Sequence, residues 1–242
     1  MAIGMFDSGL GGLTILSALA KALPEQDFVY LGDNANAPYG WKAPTEIYEL
    51  TLAGVERLFQ AGCGLVILAC NTASAVALHD LQVNWLNPAT HRVLGVFVPV
   101  IEHLTRRDWG DNTPPTHTGL RDVALFATPA TVRSGAFPRE LRFRARDHVA
   151  ALLARLPTPQ SAVLGCTHYP LVEAAFRAAL PPTTTLVSQP DLIAASLGDY
   201  LKRHPRFAGG IGAVRYLTTG DPTTVGARAA VFTGAPQPFE SA

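Results

Sequence analysis

Short apolar runs alternate along this chain with longer segments in which apolar residues recur every three or four positions. Each short run predicts a buried strand, and each periodic segment predicts a helix with one face against the core. In the first hundred residues, strands are expected at 2–6, 28–31, 65–69 and 93–98. The helices between them are expected at 13–23, 45–61 and 72–81. Because a helix separates each strand from the next, a parallel sheet is indicated.

The same alternation continues in the second half of the chain after an interruption. Residues 106–119 are polar and rich in proline and threonine, which predicts an excursion over the surface. Further strands are expected at 123–127, 161–165, 186–187 and 214–217, and helices at 131–142, 171–180 and 192–203. The fold class is therefore α/β, with parallel strands covered by helices on both faces. In such folds, functional side chains lie just beyond the carboxyl ends of the strands.

Polar and reactive residues stand at those strand ends, and two of the three cysteines are among them. Cys70 follows the run at 65–69 and Cys166 follows the run at 161–165, each with hydrogen-bonding residues after it. The two segments, LVILACNT and SAVLGCTH, share one pattern. We interpret them as related half-units that each present a thiol at the start of a helix, where backbone N–H groups stabilise a thiolate.

Two thiols that face one cavity can act as base and acid on opposite sides of a single carbon atom. Inversion of a stereocentre next to a carboxylate needs such a pair, since one group removes the proton and the other delivers one from behind. The site must also hold the carboxylate and ammonium groups of an amino acid. Side chains suited to this are Ser8, Asn71, Thr72, Thr128, Thr131 and Thr167. No lysine follows a predicted strand, so nothing indicates a pyridoxal phosphate site.

Composition and charge exclude several other classes of protein. The chain has 242 residues, of which 48% are hydrophobic, and its 19 basic residues balance 19 acidic ones. This balance argues against a nucleic-acid-binding protein and against a polybasic membrane anchor. The longest apolar run, 65–70, is too short to span a membrane, and the first residues lack the features of a secretory signal. We therefore expect a cytoplasmic protein with reduced thiols.

The spacing of cysteines and histidines predicts no metal site and no disulfide framework. Three scattered cysteines do not form a zinc ribbon, and we expect Cys63 to be a buried apolar residue. The histidines show no metal-binding pair, so no metal is predicted. Asp7 could be a helix cap and His168 an ordinary structural histidine. His168 follows Cys166 by two residues, which favours a functional role for it, and the place of Asp7 within the longer motif at 6–14, described below, favours the same for Asp7.

Four motifs, in order along the chain, resemble those of the cofactor-independent aspartate/glutamate racemase family. They are FDSGLGGLT at 6–14, YLGD with PYG at 30–33 and 38–40, ACNTASA at 69–75, and LGCTHYPL at 164–171. The resemblance implies a bacterial cytoplasmic enzyme that interconverts L- and D-glutamate without a cofactor and supplies D-glutamate for peptidoglycan. It also implies two pseudo-symmetric α/β domains with the active site in the cleft between them, and it makes a homodimer plausible.

The resemblance assigns roles to particular residues of this chain. Cys70 and Cys166 match the two catalytic cysteines, the first associated with deprotonating the D enantiomer and the second the L enantiomer. Asp7 and His168 match the polar partners that assist those thiols. The residues that match substrate-binding positions are Asp7, Ser8, Tyr39, Gly40, Asn71, Thr72, Thr128, Thr131, Thr167 and His168.

The chain is shorter than the family pattern between the SGAF segment at 134–137 and the second thiol motif. We therefore expect a shortened second domain, 98–186, beside a first domain formed by 1–97 and 187–242. Three alternatives stay open at this point. The chain could be a related racemase acting on aspartate or a hydantoin, an enzyme that decarboxylates or isomerises related diacids, or a glutamate-binding protein without catalysis.

Overall fold

The computed structural model describes residues 1–107, 119–120, 122–144 and 158–242. Its strands are β1 (Ile3–Asp7), β2 (Phe28–Gly32), β3 (Leu65–Leu68), β4 (Arg92–Gly95), β5 (Val123–Ala127), β6 (Ser161–Gly165), β7 (Thr185–Val187), β8 (Val214–Thr218) and β9 (Phe239–Ser241). Its α-helices are α1 (Leu13–Ala22), α2 (Pro44–Gln60), α3 (Asn71–Asp80), α4 (Val98–Thr105), α5 (Pro129–Arg133), α6 (Ala136–Arg144), α7 (Glu173–Ala179), α8 (Pro190–Arg203), α9 (Pro222–Arg228) and α10 (Ala230–Thr233). Most of the predicted excursion at 106–119 lies outside the described residues.

The described strands form two parallel sheets, which confirms the α/β fold class. One sheet has six strands in the order β4-β3-β1-β2-β8-β9, and the other has three in the order β5-β6-β7. All the pairings within both sheets are parallel. Strands β8 and β9 belong to the first sheet although they follow the second sheet in the chain. The predicted domain limits of 1–97 with 187–242, and 98–186, stay a prediction.

The strand order creates a crevice at the carboxyl ends of β1 and β3. The chain passes from β1 to β2 on one side and then returns to β3 on the other side. The connecting helices α1 and α2 therefore lie on opposite faces of the sheet, and the loops after β1 and β3 separate at this point. Ligands of open α/β sheets bind at such a switch point.

The core explains why β1 is apolar up to its last residue. Ile3 and Met5 pack against side chains of α1 and α8, whereas Phe6 packs with side chains of α2 and α3 on the other face. A parallel strand covered by helices on both faces has no side that water can reach, so a nearly continuous apolar run is expected there. Asp7 ends this run and is fully buried.

Several predicted elements differ from those observed. The helix expected at 131–142 is two helices, α5 and α6, because Gly135 adopts a φ of 63° that breaks the helical path between them. The strand expected at 93–98 ends at Gly95, and Val98 begins α4. A 3-10 turn over Tyr169–Val172 precedes α7 in the segment expected to be one helix. The C-terminal elements β9, α9 and α10 were not predicted.

Candidate active site

Predicted site residues from both halves of the chain meet at one cavity of about 150 Å³. It lies beyond the carboxyl ends of β1 and β3 in the first sheet and of β5 and β6 in the second. Its lining consists of Ser8, Pro38, Tyr39, Gly40, Trp41, Cys70, Asn71, Thr72, Thr128, Pro129, Cys166, Thr167 and His168. Asp7 and Thr131, which were also predicted, are buried behind this lining. Pro38, Trp41 and Pro129 were not predicted, although each adjoins a predicted residue.

Cys70 follows β3 and caps the N-terminus of α3. Its Sγ accepts a hydrogen bond from the Ala73 N–H at 3.5 Å and donates one to the Ser8 Oγ at 3.3 Å. Burial and, to a lesser extent, the negative charge of Asp7 raise the pKa of the Cys70 thiol to about 11, although these hydrogen bonds act in the opposite direction. Stabilisation of a thiolate by the helix start, expected from the sequence, is thus outweighed by desolvation.

Cys166 follows β6 and is less buried than Cys70. A 3-10 turn comes after it, so this thiol does not cap an α-helix directly as Cys70 does. Its Sγ lies 3.8 Å from Nδ1 of His168, whose exposed ring packs edge-on against Phe232 with centroids 5.5 Å apart. Burial raises the pKa of Cys166, while the N–H groups of His168 and Tyr169 lower it. Phe232 lies in α10, which the sequence patterns did not reveal.

Asp7 is a fully buried carboxylate whose charge acts on both thiols. Its Oδ2 accepts a hydrogen bond from the Gly9 N–H at 2.9 Å, whereas Oδ1 has no hydrogen-bond partner among the described residues. Burial raises the pKa of Asp7, while His168 lowers it. The Asp7 charge raises the pKa of both Cys70 and Cys166. Asp7 is not itself the N-cap residue of α1, because Gly12 occupies that position.

Three threonine hydroxyls join the two halves of the chain at the cavity wall. Thr72 Oγ1 in α3 lies 2.8 Å from Thr128 Oγ1 and 3.2 Å from Thr131 Oγ1, and the last two are 3.0 Å apart. Thr128 also caps α5 by accepting the Thr131 N–H. A hydroxyl group both donates and accepts, so this cluster can rotate its hydrogen atoms toward an anion.

The hydroxyl of Tyr39 is used inside the protein. It donates a hydrogen bond to Asp33 Oδ2 at 2.5 Å, and Asp33 Oδ1 accepts hydrogen bonds from Thr219 and Asn36. Burial and then the hydrogen bond to Asp33 raise the pKa of Tyr39 well above its usual range. Tyr39 and Gly40 therefore offer ring and backbone atoms to the cavity, and Asp33 keeps their loop against the first sheet.

The side-chain amide of Asn71 is paired with a residue that the sequence patterns did not indicate. Asn71 Nδ2 donates to Gln189 Oε1 at 2.6 Å, and Gln189 Nε2 donates back to Asn71 Oδ1 at 2.9 Å. Gln189 lies between β7 and α8, outside the four motifs, and no local pattern distinguishes it from a loop residue.

The described part of the chain gives no sign of a metal centre or of a membrane-spanning segment. Nowhere in it do three or more histidine, cysteine, aspartate or glutamate side chains form a group able to hold a metal ion. None of the helices in the described ranges is long and apolar enough to cross a membrane.

Comparisons with known proteins give a consistent result. No family model matches the chain. Glutamate racemase of Paracoccus denitrificans is 54% identical over the whole of both chains, and that of a Jannaschia species is 54% identical over 96% of each. The Paracoccus alignment extends over 271 positions, 29 more than the residues of this chain.

Solved structures show the same fold. Glutamate racemase from Thermus thermophilus, in complex with Beta-chloro-D-alanine, has a TM-score of 0.83 and 30% identity, with 100% of this chain and 96% of that chain covered. Glutamate racemase from Aquifex pyrophilus has a TM-score of 0.78 and 27% identity, with coverage of 100% and 98%.

The fold, the paired cysteines and these structural neighbours define a two-sheet α/β protein of the amino-acid racemase class. Relatives that are 54% identical over the full length of both chains narrow the class further. The chain belongs to the glutamate racemase family, which confirms the resemblance found in the sequence.

Proposed function

We propose that this chain interconverts L- and D-glutamate through Cys70 and Cys166, without a cofactor. One observation carries the proposal. The two thiols come from different halves of the chain, yet they line the same small cavity, and one buried carboxylate influences the pKa of both. Two acids of the same kind suit a reaction that must run equally in either direction, because the reverse reaction exchanges their roles.

In each turnover, one thiolate takes the α-proton and the opposite thiol donates its proton to the other face of the carbon. Cys70 acts as the base toward D-glutamate and Cys166 toward L-glutamate. The proton count balances within the site, since the thiolate becomes a thiol and the thiol becomes a thiolate. Exchange of these protons with solvent then prepares the site for substrate of either configuration.

Binding of the substrate favours ionisation of the thiol that removes the α-proton. Without substrate, burial and the Asp7 charge keep both thiols protonated at neutral pH. An incoming ammonium group adds a positive charge, which lowers the pKa of nearby acids. The buried charge of Asp7, one layer behind the lining, attracts that ammonium group, and with this positive charge nearby it disfavours the thiolates less. His168, beside Cys166, can move a proton to or from that thiol.

The substrate carboxylates have donors on both sides of the cavity. Thr72, Thr128 and Thr131 supply hydroxyl groups, and the start of α3 supplies backbone N–H groups with the positive end of the helix dipole. The choice of glutamate rests on the names of the relatives. The Thermus structure, whose ligand is a D-alanine derivative, supports an amino acid in this pocket. Family membership also supports a cytoplasmic enzyme that supplies D-glutamate for peptidoglycan, and a homodimer stays a prediction.

Proton NMR in deuterated buffer tests the proposal directly. Reduced protein without pyridoxal phosphate is incubated separately with L- and D-glutamate, and the chirality of the product is measured. We expect the α-proton signal to disappear from either enantiomer as the opposite enantiomer forms. Equal turnover of aspartate would indicate a related racemase of the same family. Saturable glutamate binding with no loss of the α-proton would identify a binding protein and contradict the proposal.

Replacing Gly11 by alanine should damage the site through steric contact between the two halves. A Cβ atom at Gly11 would collide with Thr167 Oγ1 and lie 2.6 Å from the His168 ring. Displacement of Thr167 and His168 by about 1 Å is expected to lower kcat/KM by about 10²-fold. Steady-state racemisation rates of the variant measure this effect.

Gly198→Ala is the matched control for this substitution. In α8, a Cβ atom at Gly198 would meet only Leu23 at 4.0 Å, an ordinary van der Waals distance. Alanine inside a helix stabilises it by about 1 kcal/mol. We expect full activity from this control, and full activity from Gly11→Ala would show that the contact does not position the second half of the site.

A further inference from the structure

Gln189 pairs through its side-chain amide with Asn71, a residue of the cavity wall. Both side chains are nearly fully buried, at 2% and 5% exposure. Each amide donates one hydrogen bond to the oxygen of the other, at 2.6 and 2.9 Å. Asn71 directly follows Cys70 and lines the cavity, whereas Gln189 occupies the position before α8 and does not line the cavity.

A backbone carbonyl determines which way this pair is oriented. Gln189 Nε2 also lies 3.4 Å from the Val96 carbonyl oxygen, which can only accept a hydrogen bond. The NH2 group of Gln189 must therefore point toward Val96, and its other hydrogen atom reaches Asn71 Oδ1. Asn71 Oδ1 is then turned toward Gln189, and Asn71 Nδ2 retains one N–H that the pair does not use.

We propose that Gln189 is a positioning residue that fixes the Asn71 side-chain amide so that an N–H group, and not the carbonyl oxygen, is offered to a carboxylate of the substrate. The inference rests on the proposed function and deepens it. A freely rotating Asn71 would present its oxygen part of the time, and that oxygen would repel a carboxylate. Loss of the amide at position 189 should therefore weaken substrate binding strongly and have little effect on the rate of proton transfer.

Gln189→Met tests the inference, because methionine has a similar length and no strong hydrogen-bonding group. We expect KM for both glutamate enantiomers to rise about tenfold, the scale of one hydrogen bond to a charged group, while kcat changes less than about threefold. Gln82→Met, at an exposed position, is the control for loss of a glutamine that bonds a backbone carbonyl. Like Gln189, Gln82 donates a hydrogen bond from Nε2 to a backbone carbonyl, in this case that of Val93 in β4 at 2.7 Å. Gln82 is outside the active-site lining. The KM of the Gln82→Met variant for glutamate should equal that of wild type.

A double-mutant comparison separates positioning from a general structural role. In an Asn71→Ala background, Gln189→Met should change KM no further, because the group that it positions is already absent. An additive effect on KM would overturn the inference, as would an unchanged KM in Gln189→Met. If that variant does not fold, a normal KM in Asn71→Ala still overturns the inference, because it leaves nothing for Gln189 to position. Wild-type protein without turnover would instead contradict the proposed function itself.

Discussion

Replacing Cys70 by serine is expected to abolish racemisation in both directions and to leave α-proton exchange with only one enantiomer. The hydroxyl of serine is too weak an acid to exchange a proton in this role, although its size preserves the site. Cys166 can still remove the α-proton of L-glutamate and return a solvent-derived deuteron to the same face. We therefore expect exchange with retention for L-glutamate and no exchange for D-glutamate, with the reverse pattern for Cys166→Ser.

The expected loss of racemisation is about 10³-fold or more, because each thiol is one of the two acid–base groups of the reaction. Cys63→Ser is the matched control. Cys63 is also buried, and desolvation raises its pKa to about 11 as well, but it lies away from the cavity. This control should keep its activity and lose only some stability. Racemisation by either active-site variant at a rate close to that of wild type would contradict the two-thiol mechanism.

Replacing Asp7 by asparagine should slow catalysis and at the same time stabilise the protein at neutral pH. The buried Oδ1 of Asp7 has no partner, so the folded protein bears the cost of an incompletely solvated charge. Asparagine keeps an oxygen for the Gly9 N–H and removes the charge. We expect kcat to fall about 10²-fold, since the ammonium group loses the buried negative charge that attracts it, and the free energy of unfolding to rise by about 1 kcal/mol or more.

The pH dependence of this stabilisation has a definite sign. Burial raises the pKa of Asp7 above its ordinary value of 3.8. The folded state therefore binds the Asp7 proton more tightly than the unfolded state does. This proton binding contributes its full amount to the free energy of unfolding at pH values below 3.8. The contribution is lost as pH rises through the pKa of the folded protein. Urea unfolding at a series of pH values should show the advantage of Asp7→Asn growing as pH increases from 4 toward 7.

Asp27→Asn should show the opposite sign and serves as the control. Asp27 Oδ1 accepts the N–H groups of Ile211 and Ala213 at 2.9 and 2.8 Å, and these hydrogen bonds hold its pKa below the ordinary 3.8. Ionised Asp27 therefore stabilises the fold above that value, and asparagine should destabilise it at neutral pH without affecting kcat. Equal stability of Asp7→Asn and wild type across this pH range would contradict the account of Asp7 as an incompletely compensated buried charge.

The positions of the two thiols could be predicted from the sequence because their signals are local. An apolar run that ends at Cys70 or Cys166 marks the end of a buried strand, and parallel strands place their carboxyl ends along one edge. Hydrophobic periodicity needs only neighbouring residues, so the α/β class and most of the helices and strands follow from it. The cavity lining repeats the predicted residues for the same reason, with Asp7 and Thr131 one layer behind.

Other features depend on contacts between distant parts of the chain, which no local pattern contains. The pairing of Gln189 with Asn71 spans 118 residues, and the packing of His168 on Phe232 joins the second thiol motif to the C-terminal helix. The direction of the thiol pKa shifts is also a tertiary effect. The sequence shows a helix start after Cys70, but only the packed structure shows how completely water is removed from its sulfur atom.

The sequence by itself therefore determined the fold class, the family resemblance and the identity of the candidate acid–base residues. The tertiary structure decided how those residues are charged and held. Exclusion of solvent raises the pKa values of Asp7 and Cys70. The orientation of the Asn71 amide is set by Gln189, which lies in a segment that contains no recognisable sequence motif. Burial and hydrogen-bond geometry are properties of the assembled chain, since each arises from groups that folding alone brings together.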